Sequence, residues 1–253
     1  MTDHPAGGPD KPQGEKRFLL LVDGNSRELF TTGLILQRLE YDVYVSNSAE
    51  NALQTMTCAL PALVVTEVVL PQMNGIDLLS RIKNEPRTRS IPVICLTAMI
   101  DPKSEELCLA YGCASYLQKP IEPNDLFRAI QHATEVTPRN YIRLRTFLRA
   151  DVGGRPERGE AGEPEVVTAL SENGIYVRTF SPRPGKSVQS VEFMLGRCLI
   201  RLRAMVLYSF PVNKGPFREP GMGMRFIDVS SRDRTLISGF IKEQLTRDIV
   251  CPE

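Results

Sequence analysis

Four polar residues stand where apolar runs end. Asp23 follows "FLLLV", Glu67 closes "LVVTE", Thr97 ends "VICLT" and Lys119 follows "ASYLQ". Should those runs be parallel strands, the four side chains converge on one sheet edge, where ligands of such sheets bind. Two carboxylates, a hydroxyl and an ammonium at one edge furnish it for phosphoryl transfer. A second set lies downstream. "RNYIR" places Arg139 and Arg143 four apart, and guanidinium forks suit phosphate recognition and stacking on bases. "ALSENGIYVRT" carries Ser171 and Gly174 three apart, a hydroxyl and a tight turn at a strand start. Neither His4 nor His132 has a triad context, so the chain is expected not to be an enzyme.

Composition narrows the classes further. The 253 residues are 42% hydrophobic and 24% charged, which suits a soluble chain of about two domains. Net charge is +1, so no global field argues for nucleic acid or membrane. The six Cys form no CxxC pair and have almost no His beside them, which predicts reduced core thiols and no metal site. No apolar run reaches spanning length, and residues 1–16 read as a disordered tail without a signal peptide. A cytoplasmic protein without membrane insertion is expected.

The elements that must position these residues alternate regularly. Strands are predicted at 18–22, 42–46, 62–68, 91–98 and 114–118. Helices are predicted from Ser26 as N-cap through Leu39, then at 48–59, 76–84, 103–112 with Gly112 as its stop, and 122–135. Five strands alternating with five helices imply an α/β, doubly wound five-stranded parallel sheet of flavodoxin-like type. After Thr137 the character changes. "PRNYIRLRTFLR" is densely basic, "DVGGRPERGEAGEPE" is a polar loop, and runs at 166–170, 174–180, 187–195, 198–210 and from Gly221 have strand character. That is the pattern of a small all-β barrel closed by a C-terminal helix. The expected division is a tail over 1–16, the α/β domain over 17–136, a basic linker over 137–149 and the barrel over 150–253.

"LLVDGNS", "TEVVLPQMNG", "ICLTA" and "SYLQKP" resemble the response-regulator receiver domain across the whole of the first domain. The resemblance implies an aspartate phosphoacceptor after strand three, two acids after strand one that hold Mg²⁺, a Thr or Ser and a Lys that bind the acyl phosphate, and a switching aromatic on strand five. Asp23, Thr97, Tyr116 and Lys119 match, and Pro120 matches a proline often preceded by a cis bond. Gly24 stands where the second acid belongs, and Glu67 stands at the phosphoacceptor position. A missing carboxylate weakens a Mg²⁺ cage, and a carboxylate one methylene longer is misplaced for in-line transfer. An unphosphorylated receiver is expected. Either Glu67 imitates the phosphorylated state, or it merely pairs with Lys119 and switches nothing.

The second half resembles a PilZ domain, a bacterial cyclic di-GMP receptor module, on "RNYIR", "LSENGIYVRT" and "GMGMRFIDVSSRDR". The resemblance implies that Arg139, Arg143, Ser171 and Gly174 grip cyclic di-GMP. Arg145 and Arg149 repeat the Arg spacing but lie farther from the domain junction. Two positions depart from the pattern: Pro138 replaces a frequent Arg, and Ala169 replaces an Asp or Asn. The lost hydrogen bond is worth about 1.5–3 kcal/mol. The bland alternative makes the Arg segment a solvated face, and makes Arg178, Arg201 and Arg203 a polar outer face. Nucleic acid is not expected, because no recognition helix or aromatic platform is evident. The combined reading is a non-enzymatic signalling protein with cyclic di-GMP as ligand, no other cofactor, and a protein partner or second copy bound through the receiver. Its rival is a ligand-independent scaffold with both switch sites degenerate.

Overall fold

The computed structural model describes residues 18–99, 101–154, 164–212, 214, 219–247 and 249. The tail expected over 1–16 and most of the polar loop expected over 151–165 lie outside them. Contacts divide the chain into two units, one ending at Ile121 and the other beginning at Glu122.

In the first unit the strands are β1 (Leu19–Val22), β2 (Val43–Ser46), β3 (Leu63–Thr66), β4 (Val93–Thr97) and β5 (Ser115–Gln118). They form one parallel sheet in the order β2-β1-β3-β4-β5. The helices are α1 (Ser26–Arg38), α2 (Ala49–Cys58), α3 (Gly75–Asn84) and α4 (Pro102–Ala110). β1, β3 and β4 are buried at every position, which is why their sequences are continuous apolar runs and do not alternate. β2 forms one edge and leaves Tyr44 and Val45 exposed. Leu20, Val22 and Val64 of the sheet pack with Ala52 and Met56 of α2 and with Leu78, Leu79 and Ile82 of α3.

The helix starts are set by short polar side chains. Asn25, and not Ser26, caps α1; its Oδ1 accepts from the Arg27 N–H at 2.9 Å. Asn and Ser cap about equally well, so adjacent candidates are settled by backbone conformation, and Asn25 is the extended residue. Asn74 caps α3 by accepting from the Asp77 N–H at 2.8 Å. The Asn-Gly pair has a second purpose. Gly75 N–H donates to the Val68 carbonyl at 2.8 Å, and a Cβ on Gly75 would overlap the Glu67 carbonyl oxygen. Glycine is what lets α3 start against the segment that carries Glu67.

The second unit begins with α5 (Pro123–Thr134), which buries Leu126, Phe127, Ile130 and Gln131. Six strands follow: β6 (Leu144–Val152), β7 (Glu165–Ser171), β8 (Gly174–Arg178), β9 (Val188–Leu195), β10 (Cys198–Phe210) and β11 (Gly221–Asp228). They close an antiparallel barrel in the order β10-β11-β8-β7-β6-β9. The segment expected as a linker is shorter than 137–149, because Leu144 already begins β6. Leu144, Thr146 and Leu148 are half-buried while Arg145, Phe147 and Arg149 face water, so this basic stretch is an amphipathic strand. Phe193, Val177, Leu170, Ile200 and Val206 fill the barrel. α6 (Ser231–Thr246) is capped by Ser230 and buries Ile237, Ile241 and Leu245 at four-residue spacing. No helix among the described residues is long and apolar enough to cross a membrane.

Two glycines make opposite predictions. Gly75→Ala should cost the first unit about 1–3 kcal/mol through overpacking. Gly239 lies exposed within α6, with nothing within 4 Å of a new Cβ, so Gly239→Ala should stabilise by up to about 1 kcal/mol. Urea unfolding followed by tyrosine fluorescence and circular dichroism checks both. Equal midpoints for Gly75→Ala and the parent would refute the close-approach account.

Candidate functional site

Strand order brings the carboxyl ends of β1, β3, β4 and β5 to one edge, and Asp23, Glu67, Thr97 and Lys119 meet there. Asp23, Glu67 and Thr97 are each less than a tenth exposed. Lys119 Nζ donates to Asp23 Oδ2 at 2.5 Å and to Glu67 Oε2 at 2.7 Å, with Glu28 Oε2 farther off at 3.8 Å. The remaining oxygens are also engaged. Asp23 Oδ1 accepts from the Asn25 N–H at 2.8 Å, and Glu67 Oε1 accepts from the N–H groups of Val68 and Val69 at 2.7 and 3.2 Å.

These contacts outweigh burial. Burial alone would push the Glu67 carboxyl up, but hydrogen bonds from Lys119, Thr97 and the Val69 N–H hold it below the usual carboxylate range. Burial alone would push Lys119 down, but its bonds to Asp23 and Glu67 carry it above the usual ammonium range. At neutral pH this is a charged, fully bonded cluster.

The Mg²⁺ that a receiver resemblance implies does not fit these residues. Every oxygen of Asp23 and Glu67 already accepts a hydrogen bond from the protein, and the Lys119 ammonium sits against both carboxylates. At the second acidic position a Cβ on Gly24 would come within 2.8 Å of Pro71 Cδ, so the proline ring takes the space a side chain needs. Tyr116, half-buried on β5, points its hydroxyl at the Met99 carbonyl at 3.5 Å. The Lys119–Pro120 peptide is cis.

The second set is assembled by the register between β6 and β7. Leu144 pairs with Leu170 and Arg145 with Ala169. Arg143 lies one residue before β6, and Ser171 is the last residue of β7. Ser171 Oγ donates to the Gly174 carbonyl at 2.9 Å across the two-residue turn of Glu172 and Asn173. Gly174 also has a plain structural reason, because a Cβ there would overlap the Met224 carbonyl oxygen on β11. Arg143 is exposed. Arg139 is held differently: its backbone N–H and Nε donate to Gln131 Oε1 at 3.2 and 3.4 Å, and its guanidinium lies 5.9 Å from the Phe127 ring centre. Pro138 precedes it in the same connection.

Other basic residues are accounted for on the outer face. Arg201 pairs with Glu192 at 3.1 Å, Arg203 pairs with Asp228, and Arg178 lies over Phe147 at 5.3 Å. A cavity of about 360 Å³ between β6 and α6 is lined by Leu144, Thr146, Phe147, Phe240 and Gln244 among others. The sequence signals did not reveal Gln131 and Phe127 as the seat of Arg139, nor the Val68 and Val69 N–H groups. Backbone donors carry no residue-type signal, and the spacing from Gln131 to Arg139 matches no single element. Glu172 was read only as part of a turn, yet it accepts from Asn124 on α5 at 3.2 Å and from Ser238 on α6 at 3.0 Å.

Residues 19–131 match the family model described as the response regulator receiver domain. The chain is 30% identical over 122 residues to the two-component response regulator ORR6 of Oryza sativa subsp. japonica, over 47% of this chain and 71% of that protein. It is 35% identical over 89 residues to an uncharacterized 14.6 kDa protein of Leptolyngbya boryana, over 35% of this chain and 68% of that one. Among solved structures it is similar to a putative response regulator from Chloroflexus aurantiacus J-10-fl, with 30% identity, 47% of this chain and 98% of that chain covered, and a TM-score of 0.46.

The cluster predicts a defined pH response. A carboxyl held below its ordinary value contributes stability that is present above pH 4.5 and lost as acid protonates it in the folded state. Lys119→Met leaves Asp23 and Glu67 buried without their counterion and should cost about 3–5 kcal/mol at neutral pH. The deficit should shrink toward about pH 4, as the orphaned Glu67 carboxyl takes up a proton. Urea midpoints of parent and variant at both pH values check this. A deficit that stays constant with pH would show that lost packing, and not charge, is responsible.

Proposed function

The chain belongs to the response-regulator receiver family through residues 19–131, and from that premise we propose a non-enzymatic bacterial signalling protein in which a pseudo-receiver is coupled to a PilZ-type barrel that binds cyclic di-GMP. What supports the ligand is that Arg143 lies exposed one residue before β6, and Ser171 ends β7, the strand that pairs with β6. Residues far apart in sequence thereby form one phosphate-binding face. Arg143 supplies a guanidinium fork and Ser171 a hydroxyl, while Arg139 waits on Phe127 and Gln131. Ala169 leaves out one acceptor for guanine, which water replaces in part at an open site.

The pseudo-receiver half rests on Glu67. The resemblance gives Thr97 and Lys119 to an acyl phosphate, and here both are engaged by the Glu67 carboxylate. Glu67 therefore acts as a fixed substitute for the phosphorylated side chain, and its longer reach makes these contacts without a phosphoryl group. Input then falls to the barrel. A phosphate that draws Arg139 away breaks its contacts to Gln131 and Phe127, both on α5. The same helix holds the Ser171 turn through Asn124 and Glu172. Ligand binding in this scheme changes the setting of α5, reorients the receiver, and is read by a protein partner or a second copy through the receiver surface. By family analogy the controlled behaviour is motility, pili or surface attachment, and the location is cytoplasmic.

A ligand-independent scaffold is the second reading, and the space taken by Pro71 at Gly24 favours it, since that closes the receiver's own switch. Calorimetric titration of cyclic di-GMP into the full chain separates the two. The expected result is saturable heat, weakened by about tenfold or more in Arg143→Ala. No heat from the parent or from Ala169→Asp would leave the scaffold. With acetyl phosphate and Mg²⁺, mass spectrometry should find no added phosphoryl group on the parent. A stable adduct at Glu67 would overturn the pseudo-receiver.

A further inference from the structure

An aromatic platform is hidden in the sequence pattern and present in the folded chain. From Tyr141 to Arg149 exposure alternates: Ile142 is buried and Leu144, Thr146 and Leu148 are half-buried, whereas Tyr141, Arg143, Arg145, Phe147 and Arg149 are exposed. Alternate residues of a strand point to one side, so Arg145, Phe147 and Arg149 form a row on the outside of β6. Tyr141 and Arg143 lead into it. Phe147 is 71% exposed, and the Arg178 guanidinium of β8 lies over its ring at 5.3 Å from the centre. Nearby carboxylates are turned to other partners. Glu165, opposite Ala150, pairs with Arg183 at 2.5 Å, Glu172 accepts from Asn124 and Ser238, and Glu219 lies 3.7 Å from Arg178. Asp151 marks the far end of the row.

The cavity beside this row is a second, independent feature. β6 is bonded to β9 only over Ala150–Val152, so along 144–148 its second edge is left to α6, across a cavity of about 360 Å³. That volume lies in the usual range of ligand pockets, about 300–1,000 Å³. Arg145 and Phe147 line it from β6, and Phe240 and Gln244 line it from α6. Two rings, a guanidinium and a primary amide around one cavity suit a planar heterocycle. Rings and guanidinium meet its faces, and the amide offers a donor and an acceptor to its edge. The strand edge adds backbone groups that no neighbouring strand takes up. Cations interleaved with aromatic rings along an extended run are the pattern by which single nucleic-acid strands are held, phosphates on the charges and bases on the rings.

We propose that the outer row of β6 and the cavity between β6 and α6 bind single-stranded RNA, with Arg143, Arg145 and Arg149 on its phosphates and one base held in the cavity by Phe147, Phe240 and Gln244. The row from Tyr141 to Arg149 spans about 26 Å at about 3.3 Å per residue, long enough for several nucleotides. Duplexes are disfavoured, because their bases are already stacked and cannot reach a ring. An anionic bilayer would use the charges but would leave the cavity and its amide without purpose. The guanidiniums recognise phosphate regardless of sequence, whereas Gln244 reads the edge of a base, so preference falls on a single nucleotide. Phe147, Arg149, Phe240 and Gln244 take no part in the proposed cyclic di-GMP site, and this one stands whether or not that ligand binds.

The test is fluorescence anisotropy of a short labelled RNA of mixed sequence, titrated with the full chain at several salt concentrations. The expected result is saturable binding whose log K falls against log salt with a slope of about −2, as about three neutralised phosphates of a single strand require. Phe147→Ala should weaken binding about tenfold, and its circular dichroism should match the parent because the ring is exposed. Arg149→Ala should lower the salt slope by about 0.7. Gln244→Ala should level the affinities for oligo-A, oligo-C and oligo-U. No saturation by the parent, an unchanged affinity in Phe147→Ala, or an RNA duplex or deoxy strand bound as tightly as the single-stranded RNA would each overturn the proposal. So would binding to phosphatidylglycerol vesicles in place of RNA, which would make the row a membrane contact. Calorimetry with cyclic di-GMP on the same preparations keeps the two sites apart. Heat from the parent without RNA binding overturns this site alone, and RNA binding without heat overturns the other alone.

Discussion

The Lys119 ammonium, buried between two carboxylates, is the interaction on which the first unit's sheet edge depends. It joins the ends of β1, β3 and β5 through Asp23, Glu67 and its own position. Taking three charges out of water is costly, and such clusters hold only when geometry and additional hydrogen bonds are good. Here the Asn25, Val68 and Val69 N–H groups complete the oxygens that Lys119 leaves. The surrounding sequence serves that completion. Gly75 lets α3 approach the Glu67 backbone, and Asn25 has its N–H on Asp23 while its side chain starts α1.

A cluster so fully bonded has little left to give to a transient ligand. One oxygen of the Glu67 carboxylate reaches Lys119 while the other keeps two backbone donors. In the second unit Arg143 is exposed, and Arg139 rests on a neutral amide and a ring and not on a carboxylate. Contacts of that kind are exchanged for phosphate at small cost, whereas a buried ion pair is not. Within the second unit, α5 holds both the turn after Ser171, through Glu172, and Arg139, through Gln131.

Much of this was legible in the sequence, for reasons that differ by element. β1, β3 and β4 announced themselves because burial on both faces leaves an uninterrupted apolar run. The edge residues followed from strand ends alone. β6 was hidden because its outward positions are Arg145, Phe147 and Arg149, and charge density masked a period-two pattern. Gly24 was legible as a missing acid but not as a position closed by Pro71, because that contact joins two loops through space. Of the thiols expected in the core, Cys95 and Cys108 are buried, whereas Cys58 is exposed and Cys113 and Cys198 are half-buried.

The helices of the first unit are held unequally. α3 buries Leu78, Leu79 and Ile82, three side chains that no small perturbation releases together. α4 buries one, and a helix held by few apolar contacts sits at the low-stability end of a structure. Its remaining attachments are a capping aspartate, Asp101, at one end and the glycine turn at the other. Tyr116 and Lys119 both follow from that turn along β5, so the least anchored helix of the unit leads directly into its most firmly bonded edge.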